Sequence, residues 1–182
     1  KGKPCAGLWA RRADLPAPAV FGRRELGEAE SKALTEAALA SLRSQPEFAP
    51  TQAAYAERVK DYGHEASLPA WDDFVRANFT ATRWDEVGGP RKIVSVELDE
   101  KLDGCGDVFE GHIELLFELQ GDALVRLPQT SWRNLVALMD LDRDGVLEGV
   151  TNYDLVHTIT AVGPTSGLYA DEYSIDYVGC RC

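Results

Sequence analysis

Phe109-Glu-Gly-His-Ile113-Glu-Leu-Leu-Phe117-Glu-Leu-Gln-Gly121-Asp-Ala-Leu-Val-Arg-Leu127 is the stretch on which the fold turns. Phe109, Ile113, Leu115, Phe117 and Leu119 alternate with Glu110, His112, Glu114 and Glu118. In an extended chain successive side chains point to opposite faces, so this period of two predicts a strand with one buried face and one solvated, acidic face. Gln120-Gly121-Asp122 reads as a turn, and residues 123–127 as the return strand of a hairpin. Upstream, Val94, Val96 and Leu98 alternate with Ser95 and Glu97. Downstream, residues 135–139 form a short continuous apolar run, and residues 146–150, 155–162 and 173–178 are further strand candidates. Past Gly88-Gly89-Pro90 the chain therefore predicts an antiparallel sheet.

Before that boundary the period is helical. Leu34, Ala38 and Leu42 recur every four residues, with Glu28, Glu30 and Glu36 toward the start and Arg43 at the end, an order that complements the helix dipole. Pro46 and Pro50 interrupt this helix. Tyr55, Val59 and Tyr62 predict a second, stopped at Gly63. Ser67 and Pro69 suit the entry to a third, carrying Trp71, Phe74, Val75 and Asn78. Residues 1–25 hold three prolines and no clean periodicity, and read as an extended arm tied down near Cys5 and Trp9. The fold class expected is α+β: N-terminal helices packed on a C-terminal antiparallel β-sheet. The organisation expected is an arm (1–25) and one domain (26–182), with a helical part at 26–88 and a β-rich part at 91–182.

Charge divides the chain unevenly. Of 182 residues, 19 are Lys or Arg and 30 are Asp or Glu, and the whole net charge of −11 falls in residues 92–182. That balance gives no basic footprint for nucleic acid or for an anionic membrane surface. No apolar run reaches the roughly 18 residues of a membrane-spanning helix. With 45% apolar residues the chain has the material for a core, unlike a disordered acidic tail. The four cysteines, Cys5, Cys105, Cys180 and Cys182, show neither C-x-x-C nor zinc-finger spacing. A bridge between Cys180 and Cys182 would close a strained, very small ring. The expectation is two disulfides, one of that pair joining Cys5 and the other Cys105, in either assignment. Disulfides imply an oxidising compartment, hence an extracellular or envelope location.

One segment carries recognisable chemistry. Residues 140–148 read Asp140-Leu-Asp142-Arg-Asp144-Gly145-Val-Leu-Glu148. Carboxylates at alternate positions of a tightly curled loop converge on one point, and the glycine permits the sharp turn. Hard oxygen donors without His or Cys favour Ca²⁺ over zinc or copper, and Mg²⁺ suits the loop less because it retains its waters. The pattern resembles the EF-hand loop, although the twelfth position, where that loop has its glutamate, is Thr151 here. It is more similar to the FG-GAP/VCBS type of calcium loop, D-x-D-x-D-G-x-x-[DE], which joins two strands. The resemblance covers residues 135–151 in a single copy. It implies side-chain oxygens from Asp140, Asp142, Asp144 and Glu148, a backbone carbonyl from Val146, and Arg143 facing solvent.

Other chemistry-bearing residues form no motif. His112 with Glu114, and the Glu110/Glu114/Glu118 stripe, read as a solvated strand face. His64 reads as loop, and His157 as half-buried beside Leu155 and Ile159. Asn78-Phe79-Thr80 matches a glycosylation sequon inside the expected third helix. Trp71, Phe74, Phe79 and Trp84 read as core, and Trp132 as an exposed contact residue. No catalytic constellation stands out. The function expected is a non-catalytic, calcium-stabilised binding or structural role outside the cytoplasm, with a protein or surface-polymer partner. The rivals are a secreted hydrolase with a structural calcium and a subunit of an extracellular surface assembly.

Overall fold

The computed structural model describes residues 16–62, 68–99, 112–130, 135–153, 156–161 and 173–176. Among them are three helices and nine strands. The strands are β1 (Ala19–Arg23), β2 (Phe79–Glu86), β3 (Lys92–Leu98), β4 (Ile113–Gln120), β5 (Ala123–Thr130), β6 (Leu135–Asp140), β7 (Glu148–Tyr153), β8 (Val156–Ala161) and β9 (Tyr173–Asp176). The helices are α1 (Glu28–Arg43), α2 (Phe48–Tyr62) and α3 (Trp71–Asn78). The protein is thus a mixed α+β structure, mostly sheet. Cys5, Cys105, Cys180 and Cys182 lie outside the described residues, as do His64 and Trp132.

The strands form one sheet in the order β5-β4-β3-β2-β1-β6-β7-β8-β9. Every neighbouring pair is antiparallel. Two meanders, β2 to β5 and β6 to β9, do not pair with each other directly. They are joined by β1, whose Phe21 sits opposite Glu86 of β2 on one side and Leu138 of β6 on the other. A strand from the segment expected to be an arm therefore occupies a central place. Its signal was short: Ala19 and Phe21 are buried and Val20 and Gly22 exposed, two periods beside Pro16 and Pro18.

A second difference falls at Asn78. The helix that carries Trp71, Phe74 and Val75 ends there, and Phe79–Glu86 continues directly as β2. Phe-Thr-Ala-Thr-Arg-Trp alternates and is rich in β-branched and aromatic side chains, which pack well on a pleated surface. The helix also begins later than the sequence suggested, at Trp71 with Ala70 at its N-cap and no side-chain cap. α2 begins at Phe48, so Pro50 lies in its first turn, where a missing N–H costs nothing.

Alternation sends the strand side chains to two hydrophobic clusters. One gathers Val94, Val96, Leu98, Ile113, Leu115 and Phe117 with Ala38 and Leu42 of α1, Phe48 and Tyr55 of α2, and Phe74 and Val75 of α3. The other gathers Ala19, Phe21, Trp84, Ile93, Leu116, Leu138 and Leu147. β4 serves both, with Leu115 and Phe117 in the first and Leu116, fully buried, in the second. The face expected to be solvated is thus largely covered: Glu114 and Glu118 are half-buried, while Glu110 lies outside the described residues. His112 is exposed. Arg126 of β5 ties the sheet to the start of α2 through Glu47 (2.5 and 2.9 Å) and Gln45 (3.0 Å). Its hydrogen bonds hold the Glu47 carboxyl below the usual carboxylate range.

Candidate metal centre

The acidic loop joins β6 to β7, two antiparallel strands paired through Met139 and Glu148. Asp140 closes β6 and Glu148 opens β7, so the sheet itself fixes both ends of the loop. Two residues between them have positive φ: Gly145 at 91° and Arg143 at 66°. Glycine reaches that region freely, whereas arginine enters it at a cost. Asp side chains complete the turns. Asp142 Oδ1 accepts the Asp144 N–H (3.3 Å), Asp144 Oδ1 the Val146 N–H (2.7 Å), and Asp140 Oδ2 the Gly145 N–H (3.1 Å). Leu147, fully buried in the second cluster, anchors the descending limb.

This curl brings Asp140, Asp142 and Asp144 together, one carboxylate oxygen from each lying within 4.8 Å of the others. Such a group can hold a metal ion. Asp142 and Asp144 are exposed, whereas Asp140 is only 3% exposed. Its Oδ2 is occupied by hydrogen bonds, but its Oδ1 is buried and has no hydrogen-bond partner. A buried carboxylate oxygen left unpaired costs free energy that a cation would recover, so the donor set fits a hard ion.

The remaining expected ligands stand slightly apart. Glu148 is not in the close group; its Oε2 accepts the Leu141 N–H at 2.8 Å. Burial, helped by the negative charges of Asp140, Asp142 and Asp144, pushes its carboxyl up to about 7 against the opposing effect of the Leu141 bond. Val146 is half-buried, and it contributes its N–H to the loop.

Two residues that sequence reasoning missed, Glu86 and Arg91, complete the surroundings. Arg143 is exposed, as expected, and also makes two hydrogen bonds. Its Nε donates to the Ala17 carbonyl (2.9 Å) and its Nη1 to Glu86 Oε1 (3.3 Å). Glu86, 8% exposed, also accepts the Arg91 N–H through Oε2 (3.3 Å). Arg91 reaches Asp140 Oδ2 (3.3 Å) and Glu118 Oε1 (3.1 Å). Apart from the Arg91–Glu86 contact across the β2–β3 turn, five positions long, these partners lie between 27 and 126 positions apart along the chain, so no local spacing signals them.

No protein-family model, curated protein or solved structure matches the chain.

Proposed function

We propose that residues 140–148 form a Ca²⁺ site and that the protein is a calcium-stabilised, non-catalytic binding or structural domain acting outside the cytoplasm. The observation that carries the reading is the unpartnered, buried Oδ1 of Asp140, a carboxylate grouped with those of Asp142 and Asp144. In this reading Asp140, Asp142, Asp144 and Glu148 supply side-chain oxygens and Val146 a backbone carbonyl, as in a strand-joining loop of the FG-GAP/VCBS type. Ca²⁺ is favoured over Mg²⁺ because it accepts irregular oxygen cages of six to eight donors. The helical part would cover the face of the sheet that bears the first hydrophobic cluster. The cysteines would form bridges from Cys5 and Cys105 to Cys180 and Cys182.

A cavity among the described residues bears on the catalytic alternative. It measures about 590 Å³ and is lined by Arg23, Arg24, Glu25, Leu26, Ser31, Ala81, Thr82 and Arg83. Arginines stay protonated in water, so this lining offers Glu25 alone as a general base. Arg83 is already spoken for by Asp85 (2.7 Å) and Glu30 (2.7 Å).

A thermal melt of the full chain in excess EDTA and in CaCl₂ tests the ion. At a free concentration a hundred times Kd, a ligand bound only by the native state adds about 2.7 kcal/mol. For a chain of this size that raises Tm by about 5–10 °C. Equal midpoints in EDTA and Ca²⁺ overturn the site, and an equal rise with Mg²⁺ overturns the choice of metal.

A further inference from the structure

Arg91 stands one residue before β3 and serves three acidic partners at once. Its guanidinium donates through Nε to Glu118 and through Nη1 to Asp140, while its N–H holds Glu86. The guanidinium carbon lies 5.6 Å from the centroid of the Phe21 ring, a cation–π distance. The side chains it joins are 26% (Arg91), 23% (Glu118) and 4% (Asp140) exposed. This is a fixed, partly desolvated positive charge seated on Oδ2 of Asp140, the more deeply buried of the loop's two buried carboxylates.

Asp140 therefore has two faces with different uses. Oδ2 is filled by the Gly145 N–H and by Arg91. Oδ1 is free and buried. A cation bound at Oδ1 would share this carboxylate with the guanidinium at Oδ2, and two cations on one carboxylate repel.

The geometry points to Arg91 as a built-in counter-cation: it holds Asp140 in place without a metal, and its charge keeps the affinity for divalent cations low. This rests on the reading of residues 140–148 as a divalent-cation site. Arg91 is a positioning residue, since it meets the ligand carboxylate and not the ion. It gives the buried end of the loop a partner in both states, so the sheet around β1 and β6 persists when the ion leaves.

Calcium titration calorimetry on the full chain tests this with wild type, Arg91→Met, Arg91→Lys and Glu118→Gln. Arg91→Met removes the competing charge and is expected to bind Ca²⁺ about tenfold more tightly, the scale of one nearby unit charge at a partly solvated site. Arg91→Lys retains the charge and should stay within about threefold of wild type. Glu118→Gln leaves Arg91 less neutralised and should weaken binding about threefold to tenfold. These opposite directions separate charge from damage, because mere loosening of the fold weakens both Arg91→Met and Glu118→Gln. In melts, Arg91→Met should fall further below wild type in EDTA than in saturating Ca²⁺. Unchanged or weaker binding by Arg91→Met with wild type binding normally overturns the role of Arg91 alone. Should Arg91→Met fail to fold in both conditions, tighter or unchanged binding by Glu118→Gln overturns it. No heat of binding in wild type up to millimolar Ca²⁺ removes the metal site and this role together.

Discussion

Glu148 shows how one side chain can link the loop to pH. Its carboxyl has an ordinary value of 4.5 and is pushed up to about 7, first by burial and then by the three aspartates. The folded protein thus holds this proton between about pH 4.5 and 7 while the unfolded chain releases it, so stability falls as pH rises through that window. Below 4.5 both states are protonated and the group costs nothing; above 7 the full cost stands. The interval corresponds to about 3 kcal/mol. Glu148→Gln keeps an acceptor for the Leu141 N–H but cannot ionise. Denaturant melts in EDTA at pH 5 and pH 8 should show a larger loss for wild type than for Glu148→Gln. In saturating Ca²⁺ at pH 8 the order should reverse, because the variant has lost a ligand. Equal pH dependence in EDTA would remove the claim. Residue spacing made the clustering of Asp140, Asp142 and Asp144 legible, since a D-x-D-x-D-G loop needs only local geometry. Arg91, Glu86 and the hydrogen bonds of Arg143 were not legible, because burial and long-range pairing decide them.

At the scale of elements, two turns meet at the loop. The β2–β3 turn carries Gly88, with φ of 77°, then Gly89. A Cβ on Gly89 would run into the Glu86 carboxylate, so the missing side chain is what lets Glu86 fold back over the turn toward Arg143. Gly89→Ala must push that carboxylate away from Arg143 and from the Arg91 N–H. Breaking the contacts of a buried charge typically costs about 1–3 kcal/mol. Chemical denaturation should show a loss of that size, and it should persist in both EDTA and Ca²⁺, because the damage lies beside the acidic loop and not in it. A variant as stable as wild type would mean that Glu86 relocates freely. The hairpins on either side were readable: period-two patterns placed β3 and β4, the turn at residues 120–122 placed β5, and a continuous apolar run placed β6, each within a few residues. β1 and β2 were hidden for different reasons. β1 is five residues long beside prolines, and β2 follows a helix without a break, so the change of period at Asn78 carries no punctuation.

For the whole molecule, the two hydrophobic clusters divide the labour. The first joins the helices to β3 and β4, and the second lies among β1, β2, β3, β4, β6 and the acidic loop. Stability should therefore depend on both, and metal affinity on the second alone. Leu42 of α1 and Leu147 of the loop are each fully buried, one in either cluster. Truncation to alanine at such sites costs about 2–5 kcal/mol through lost burial and the cavity left behind. Leu42→Ala should lower Tm and leave the Kd for Ca²⁺ within twofold, since its cavity opens among helices far from Asp140. Leu147→Ala should lower Tm comparably and also weaken Ca²⁺ binding about tenfold or more, because it unpins the limb that carries Glu148. Titrations well below both midpoints compare native states only. If both variants lose affinity alike, the site responds to stability in general and not to its own cluster. If neither does, the carboxylates hold the loop without help from Leu147. The predicted split follows from β1: it pairs with both meanders and buries Ala19 and Phe21 in the cluster that also holds Leu138 and Leu147, two and one positions from acidic residues of the site. The acidic half of the chain is thus anchored on apolar contacts drawn from its neutral N-terminal segment.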